Sequence, residues 1–352
     1  MPRVESDPSE AKRPAAASAR SGGGVLAWVG FGVLALVLGL GAAWSMTAFW
    51  HQAPPHWRAP LMAAAAVAAL LLVILALPLG PPARYRRRMA LALGGAILAG
   101  AVVALWWGSI RPSDSRDWAP EVAHGVTGAL EGDTVVLHNV RNFDWRTETD
   151  FTERWETRRY ALADLVSVDL FSSVWASPAI AHTLIGFGFR DGSRVVFSVE
   201  IRKEKGEAFS EVGGFFKAFE LVLVAADEND IVRLRTDARG ETVSLFPLKV
   251  SPEQARALFL SYVALGNHLA RQPEFYQTVT SNCTTIIYRL ARIVDSRVPL
   301  DWRILVSGYL PDYLYELGLI RTDLPLEEVR RRAVIHRAPG DDAPFSSAIR
   351  TP

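Results

Sequence analysis

The chain has 352 residues, with 38 basic and 37 acidic side chains and a formal net charge of +1 at pH 7. This near balance supplies no broad basic surface and argues against a nucleic-acid partner. Half of the residues are hydrophobic, and their uneven distribution divides the chain into an apolar N-terminal part and a longer mixed part.

The N-terminal part contains three apolar windows. Residues 1–24, rich in Ala, Ser, Pro, Arg and Gly, come first and have a composition typical of disorder. Windows free of Asp, Glu, Lys and Arg follow at Val25–Phe49, Pro60–Leu79 and Met89–Trp107. Each is close to the roughly 20 residues that a helix needs to cross a bilayer. The sequence therefore predicts three transmembrane helices within residues 25–107.

Basic residues beside these windows predict their orientation. The loop after the first window holds only Arg58, whereas the N-terminal tail and the second loop hold four basic residues each. Positive residues remain on the cytoplasmic side. We expect a multi-pass protein of the bacterial inner membrane, with residues 1–24 as a cytoplasmic tail and the C-terminal domain in the periplasm.

The mixed part begins with a polar linker over residues 108–120, which spans about 45 Å at full extension. The domain over residues 121–335 therefore stays near the membrane, and we expect a substrate borne by lipid or by the cell wall. It is long enough to form its own core. Residues 336–352 are predicted to be an irregular tail.

Strand patterns come first in this domain, and helix patterns follow. The predicted strands are Thr134–Val140, Asp164–Phe171, Ala181–Phe189, Arg194–Ile201, Leu221–Ala225, Ile231–Arg235 and Thr242–Phe246. Ser251 and Gln254 form a capping box that opens an amphipathic helix ending near Ala270. A charged helix begins at Leu326. This order predicts an α+β domain.

Cys283 is the only cysteine of the sequence and follows Asn282, a good helix N-cap. A cysteine in the first turn of a helix is favoured as thiolate by the helix dipole and by free N–H groups. Outside the cytoplasm, a single cysteine has no disulfide partner within its chain, which indicates a reactive thiol or an intermolecular bridge. The alternative is an inert cysteine on the apolar face of its helix.

A cysteine nucleophile needs a base, normally histidine, and a group that orients the base. His182 is the best candidate because it stands at the start of a predicted strand, next to a loop. The other histidines lie in loops, in the tail, within a strand or late in a helix: His51, His56, His124, His138, His268 and His336. Taken alone, any histidine is more often a surface or core residue than a base.

The hairpin turn at residues 190–193 decides whether Glu200 is able to orient His182. With a three-residue loop, His182 faces Glu200 across the ladder, with about 5 Å between Cβ atoms. With a two-residue turn, the pairing shifts by one residue, and Glu200 faces Thr183 and points to the other side of the sheet. The sequence leaves both registers open.

Several blocks of the sequence resemble the periplasmic domain of the Lnb lipoprotein N-acyltransferase family, over about residues 117–300. The most specific are Ser198–Arg202 (SVEIR) and Asn282–Thr285 (NCTT). Weaker ones are Arg233–Arg235, Phe246–Leu248 and Glu274–Tyr276. The resemblance implies a papain-like thiol fold in permuted order, with the histidine before the cysteine, here preceded by three transmembrane helices.

By this resemblance, Cys283 is the nucleophile and His182 the base. Glu200, which the first hairpin register makes the orienting group of His182, matches a motif position of the family. Asn282, Tyr276 and Arg202 match further motif positions, and we expect them to stabilise an oxyanion or position the substrate. The implied activity is acyl transfer through a thioester, from a phospholipid or a lipoprotein. In the family's acyltransferase the domain precedes the membrane helices, whereas here it follows them, so the donor and acceptor do not carry over.

Two other functions fit the same residues. A cysteine amidase or peptidase acting on cell-wall peptide uses the same thiol with water as acceptor. A non-catalytic, membrane-anchored interaction module needs only an inert thiol. The cysteine and histidines lack the spacing of metal ligands, and we expect no metal or cofactor. The expected partners are the membrane and a lipid or lipoprotein substrate.

Overall fold

The structure is a computed structural model that describes residues 21–336 and 345–350. The chain divides into two compact units between Ile110 and Arg111. The first unit holds three helices, α1 (Ser21–Gln52), α2 (Pro55–Ala76) and α3 (Pro82–Ser109). The predicted tail over residues 1–24 lies outside the described residues as far as residue 20.

All three helices are long and apolar enough to cross a membrane, over Gly24–Gln52, Pro55–Ala76 and Pro82–Ser109. The second helix ends at Ala76, before the predicted Leu79, because Pro78 disfavours the helical conformation in the preceding residue. It also begins before the predicted Pro60, at Pro55, where proline is well tolerated in the first helical turn. The predicted three-helix block is therefore present, with shifted ends.

The second unit is built on an eight-stranded sheet. Its strands are β1 (Thr127–Glu131), β2 (Thr134–Arg141), β5 (Trp155–Ala161), β6 (Leu165–Val174), β7 (Ala181–Phe189), β8 (Arg194–Arg202), β9 (Glu220–Ala226) and β10 (Thr242–Pro247). They lie in the order β1-β2-β9-β8-β7-β6-β10, with β5 paired to β2. The strands β3 (Asp144–Trp145) and β4 (Phe151–Thr152) pair separately.

Helices cover both faces of this sheet. One face packs against α6 (Pro252–Arg271), α7 (Cys283–Val294), α8 (Leu310–Glu316) and α9 (Leu326–Ala333). The other packs against α5 (Glu228–Arg233), α10 (Phe345–Ala348) and residues 119–122. A short helix, α4 (Glu211–Phe215), precedes β9. This is a mixed α+β domain, as the order of patterns predicts.

The predicted strand Ile231–Arg235 is wrong. These residues belong to α5 and to the π-helical turn Leu234–Ala238 that follows it. The Asp227 side chain accepts the N–H of Asn229 and caps α5. A short apolar run is buried equally well on a helix face, so the cap decides between the two structures.

The prediction of an irregular tail is wrong for residues 345–350. Phe345 is buried at the start of α10. The Arg350 guanidinium lies 2.6 Å from carboxylate oxygens of both Asp169 and Glu228. These contacts fix the segment on the sheet, and residues 337–344 and 351–352 lie outside the described part of the chain.

Much of the predicted linker is part of the folded unit. The Ser113 N–H donates to the Glu220 carboxylate at 3.1 Å, and Arg116 pairs with the same carboxylate at 2.8 Å. Trp118 is buried. Polar composition alone therefore did not distinguish a free linker from a segment that is bound to the sheet through its charges.

Candidate active site

Asn282 begins α7 with a capping box. Its side-chain oxygen accepts the N–H groups of Thr284 and Thr285 at 3.0 and 2.8 Å, and the Thr285 hydroxyl accepts the Asn282 N–H at 2.9 Å. Cys283 is therefore the first residue of the helix, as predicted. The buried side chains of Ile286 and Leu290 pack α7 against the core of the domain.

The β7–β8 hairpin sets the position of the residues opposite Cys283. Pairing runs from Gly188↔Arg194 to Leu184↔Ser198, the register produced by a three-residue loop. Gly192 has a φ of +87°, the left-handed conformation that this loop needs. The first predicted register is confirmed, and the two-residue alternative is wrong.

The hairpin ladder ends at Leu184↔Ser198, and the thiol of Cys283 lies beside the next residues of β7. The sulfur is close enough to the Thr183 N–H and to the His182 ring for both to lower the pKa of the thiol. The Thr183 and Thr284 hydroxyls are 3.2 Å apart, which ties the first turn of α7 to the strand. The end of the ladder thus supplies both an N–H group and an imidazole to one sulfur.

Glu200 holds the other side of the imidazole. The Nε2 atom of His182 lies 3.2 Å from Glu200 Oε1 and 2.7 Å from the Ser198 hydroxyl. Ser198 in turn donates to Glu200 at 2.6 Å. The His182 and Glu200 side chains are only 12% and 20% exposed. Nε2 therefore makes both of these contacts of the ring.

Two further residues complete the site. One Arg235 nitrogen lies 3.0 Å from Glu200 and another lies 3.4 Å from Glu241, and the Arg235 side chain is 5% exposed. The other residue is Ser198, between His182 and Glu200. Neither was predicted as a site residue, although both lie in blocks that carry the family resemblance. Arg235 comes from the turn after α5, where sequence reasoning placed a strand.

The shifted pKa values of His182 and Cys283 favour the charged form of each side chain. Burial disfavours the charged forms of both, but the opposing charges outweigh it. The Glu200 carboxylate and the Cys283 thiolate raise the pKa of His182 to about 9. The His182 imidazolium and hydrogen bonds from Thr183 lower the pKa of Cys283 to about 6. At neutral pH this favours a thiolate beside an imidazolium.

The pKa of Glu200 is held well below its usual range, despite burial, by the charges of His182 and Arg235 and by the Ser198 hydrogen bond. The carboxylate therefore stays ionised when His182 carries a proton. An ionised Glu200 is what a cationic imidazole needs as its partner.

Tyr276 lies near the reacting groups. Burial, together with the charges of Cys283 and Glu200, raises the pKa of its hydroxyl. Its backbone N–H donates to the Phe219 carbonyl at 3.0 Å. Tyr276 is therefore held by its backbone to Phe219, in the segment that joins α6 to α7.

The structure gives Asn282 and Arg202 other contacts. The Asn282 side chain caps α7 and donates to the Thr278 carbonyl at 2.7 Å. The Arg202 guanidinium stacks on Trp118 at 4.6 Å, and its three nitrogens bond to Val122, Ala123 and Asp114. Arg202 thus holds residues 114–123, which we call the entry segment, and Asn282 positions the start of α7.

Three other histidines of this unit have their own partners. His124 meets Trp155 edge to face at 5.0 Å, His138 lies 3.2 Å from the Thr157 hydroxyl, and His268 lies 2.9 Å from Glu274. Within the described residues, no group of three or more His, Cys, Asp or Glu side chains is arranged to hold a metal ion.

Residues 151–308 match the family described as the Lnb N-terminal periplasmic domain. The matched range includes β7, β8 and the start of α7, and so it contains His182, Glu200 and Cys283. The match confirms the resemblance that the sequence blocks indicate. Searches of curated proteins and of solved structures found no match. Three apolar helices followed by this domain fit a membrane anchor that carries a periplasmic domain.

Proposed function

We propose, from the Lnb-family match of residues 151–308 and the geometry of the site, that the chain is a membrane-anchored periplasmic acyltransferase. Cys283 is the nucleophile, His182 the acid and base, and Glu200 a positioning residue. The observation that carries the proposal is the contact of His182 with Cys283 on one side and Glu200 on the other. The order of His182 before Cys283 accords with a permuted papain-like arrangement.

The first half-reaction forms a thioester. The Cys283 thiolate attacks an ester carbonyl of a phospholipid or lipoprotein and forms a C–S bond. The His182 imidazolium then gives its proton to the alcohol oxygen as the C–O bond breaks. The leaving group departs as a neutral alcohol, and the imidazole is left uncharged.

The second half-reaction transfers the acyl group to an amine. Neutral His182 takes a proton from the attacking amine, the C–N bond forms, and the C–S bond breaks. The thiolate and imidazolium are restored together. If water replaces the amine, the same steps release a free fatty acid, and the protein is then a hydrolase.

The oxyanion of each step needs hydrogen-bond donors close to the sulfur. The cap takes up the N–H groups of Thr284 and Thr285, whereas the N–H of Cys283 at the first helical position is not used by it. We assign the oxyanion to this N–H and to the Tyr276 hydroxyl. Asn282 acts through the helix start, and Arg202 acts through the entry segment.

Mass spectrometry of Cys283 after incubation with bacterial membranes tests the proposal. We expect an acyl thioester on the Cys283 peptide and none in Cys283→Ala. Separate incubations with phospholipid, with lipoprotein and with cell-wall peptide identify the donor, and the products distinguish an N-acyl amine from a free acid. A Cys283→Ala protein that leaves the product level unchanged would overturn the assignment.

The proposed orientation has its own test. Alkaline phosphatase, which is active only outside the cytoplasm, is fused after Pro352. We expect an active fusion because three crossings follow a cytoplasmic N-terminus. A matched fusion in the loop after α2, at residues 77–81, should be inactive. The reverse pattern would show that the domain faces the cytoplasm.

A further inference from the structure

An apolar cavity of about 130 Å³ runs along one side of α7. Its α7 wall is formed by residues at helical spacing, among them Thr284, Ile287 and Ala291. Thr284 follows the proposed nucleophile, and its hydroxyl lies 3.7 Å from the Cys283 sulfur. One end of the cavity is therefore next to the reacting atom.

The opposite end of the cavity reaches a segment with two apolar faces. Val294, Val298 and Ile304 line the cavity. Their neighbours are large apolar residues that face outward, with exposed fractions between 56% and 78%: Ile293, Leu300, Trp302 and Leu305. We call these four residues the apolar lip. A cluster of exposed apolar side chains indicates contact with another apolar surface.

Other parts of the chain indicate which apolar surface the lip contacts. Three helices apolar enough to cross a membrane precede the domain and are covalently joined to it. The cavity lining is mostly apolar, with Gln254, Tyr288 and Asp295 among its few polar residues, and so it favours an apolar group over a charged one. An aliphatic chain drawn from a bilayer satisfies both the lip and the cavity.

We propose that this cavity binds the acyl chain of the donor lipid, with the ester carbonyl at Cys283 and the chain running along α7 toward the apolar lip. The inference rests on the proposed acyl transfer and adds its substrate class and its chain-length selectivity. A cavity of about 150 Å³ lined by similar residues binds benzene. The cavity here accordingly holds about six carbons, and the rest of a longer chain leaves through the lip.

Esters of p-nitrophenol with acyl chains of increasing length report on the cavity directly. The Cys283 thiolate attacks the carbonyl, a C–S bond forms, the C–O bond breaks, and p-nitrophenolate departs with the electron pair. The full chain is studied in nanodiscs of ether-linked phospholipid, which offers no competing ester. We expect the acylation rate to rise by up to about fourfold for each added methylene until about six carbons are buried, and then to level off.

Two substitutions should move this profile in opposite directions. Ala291→Phe fills the cavity and should lower the rate with octanoyl ester by about tenfold, since it excludes two methylenes or more. The rate with acetyl ester should remain unchanged. Leu314→Ala widens the cavity, which Leu314 also lines, and should extend the rise to longer chains. Opposite shifts do not arise from general loss of fold.

Arg289→Phe is the matched control, because it adds the same ring to the same helix at an exposed position outside the cavity and the lip. It should leave the chain-length profile unchanged. If the wild type is acylated at one rate by every ester, or if the Ala291 and Leu314 variants keep its profile, the cavity inference fails while the thiol chemistry stands. If no ester acylates Cys283, the proposed function itself fails.

Discussion

The His182 ring and the Glu200 carboxylate are joined twice, directly at 3.2 Å and through the Ser198 hydroxyl at 2.7 and 2.6 Å. The Ser198 hydroxyl donates to the Glu200 carboxylate on one side and forms a hydrogen bond with the His182 ring on the other. This double connection fixes the plane of the ring. Arg235, 3.0 Å from Glu200, competes with His182 for the same negative charge.

The pH dependence of acylation by an alkyl ester such as a phospholipid, whose alcohol needs a proton to leave, should be bell-shaped. Below a pH of about 6 the thiol of Cys283 is protonated, so the rate falls as pH decreases. Above a pH of about 9 His182 loses the proton that the leaving group needs, so the rate falls as pH increases. The two groups interact, and these limbs belong to the pair rather than to either residue alone. Initial rates between about pH 4.5 and about pH 10.5 measure both limbs.

Alkylation of Cys283 by iodoacetamide separates the thiol from the rest of the reaction. The pH midpoint of alkylation should be close to 6 in the wild type. In His182→Ala it should rise toward the ordinary value of about 8.5, since the opposing charge is removed and burial remains. His268→Ala is the matched control and should leave the midpoint in place. A wild-type midpoint near 8.5 would instead support the inert-thiol alternative.

Glu200→Gln removes the charge that stabilises the His182 imidazolium while keeping the shape of the side chain. The pKa of His182 should fall, and the alkaline limb of the profile should move to lower pH. We expect the acylation rate to drop by up to about 10⁴-fold, the effect of replacing the carboxylate that orients a catalytic histidine by an amide. An unchanged alkaline limb would remove Glu200 from this role.

Arg235→Gln should move the same limb the other way. The Arg235 charge lowers the pKa of His182, so its loss should raise that pKa and extend activity to higher pH. The substitution also removes one of the cationic partners of both Glu200 and Glu241, which keep His182 and Arg239, respectively, and the protein should be less stable. The direction of the alkaline shift, measured on folded protein at reduced temperature, distinguishes this electrostatic role from a purely structural one.

Part of the site was predictable from the sequence alone. The cap at Asn282 and the hairpin over residues 181–202 are local structures with strong turn and cap signals, and the sequence predicted both. The turn sequence also limited the hairpin to two registers. In one of them His182 faces Glu200, and in the other Glu200 points to the opposite side of the sheet. Choosing between these registers required the loop conformation at Gly192, which the residue type permits but does not dictate.

Arg235 shows where sequence reasoning failed. Its apolar neighbours suit a strand or a helix equally, and only the Asp227 cap and the packing of Ile231 and Val232 select the helix. The contact between Arg235 and Glu200 joins residues 35 positions apart. A buried ion pair of this kind has no local signal, because it depends on how α5 crosses the sheet. The same holds for Arg350, whose partners are Asp169 and Glu228.

Asn282 links the stability of α7 to the reactivity of its first residue. Asn282→Ala removes both bonds of the cap and should cost about 1 kcal/mol. Because the first turn then frays, the N–H groups that favour the thiolate become mobile, and the alkylation midpoint of Cys283 should rise. Asn282→Ser keeps a capping oxygen and should restore most of both properties.

Ser251→Ala removes the equivalent cap of α6 and serves as the control for stability alone. It should lower the free energy of unfolding by a similar amount and leave the alkylation midpoint unchanged. Thermal unfolding and the pH series of alkylation rates, measured on all three variants, test this pairing. If Asn282→Ala and Ser251→Ala shift the thiol midpoint equally, the helix start contributes to stability and not to the ionisation of Cys283.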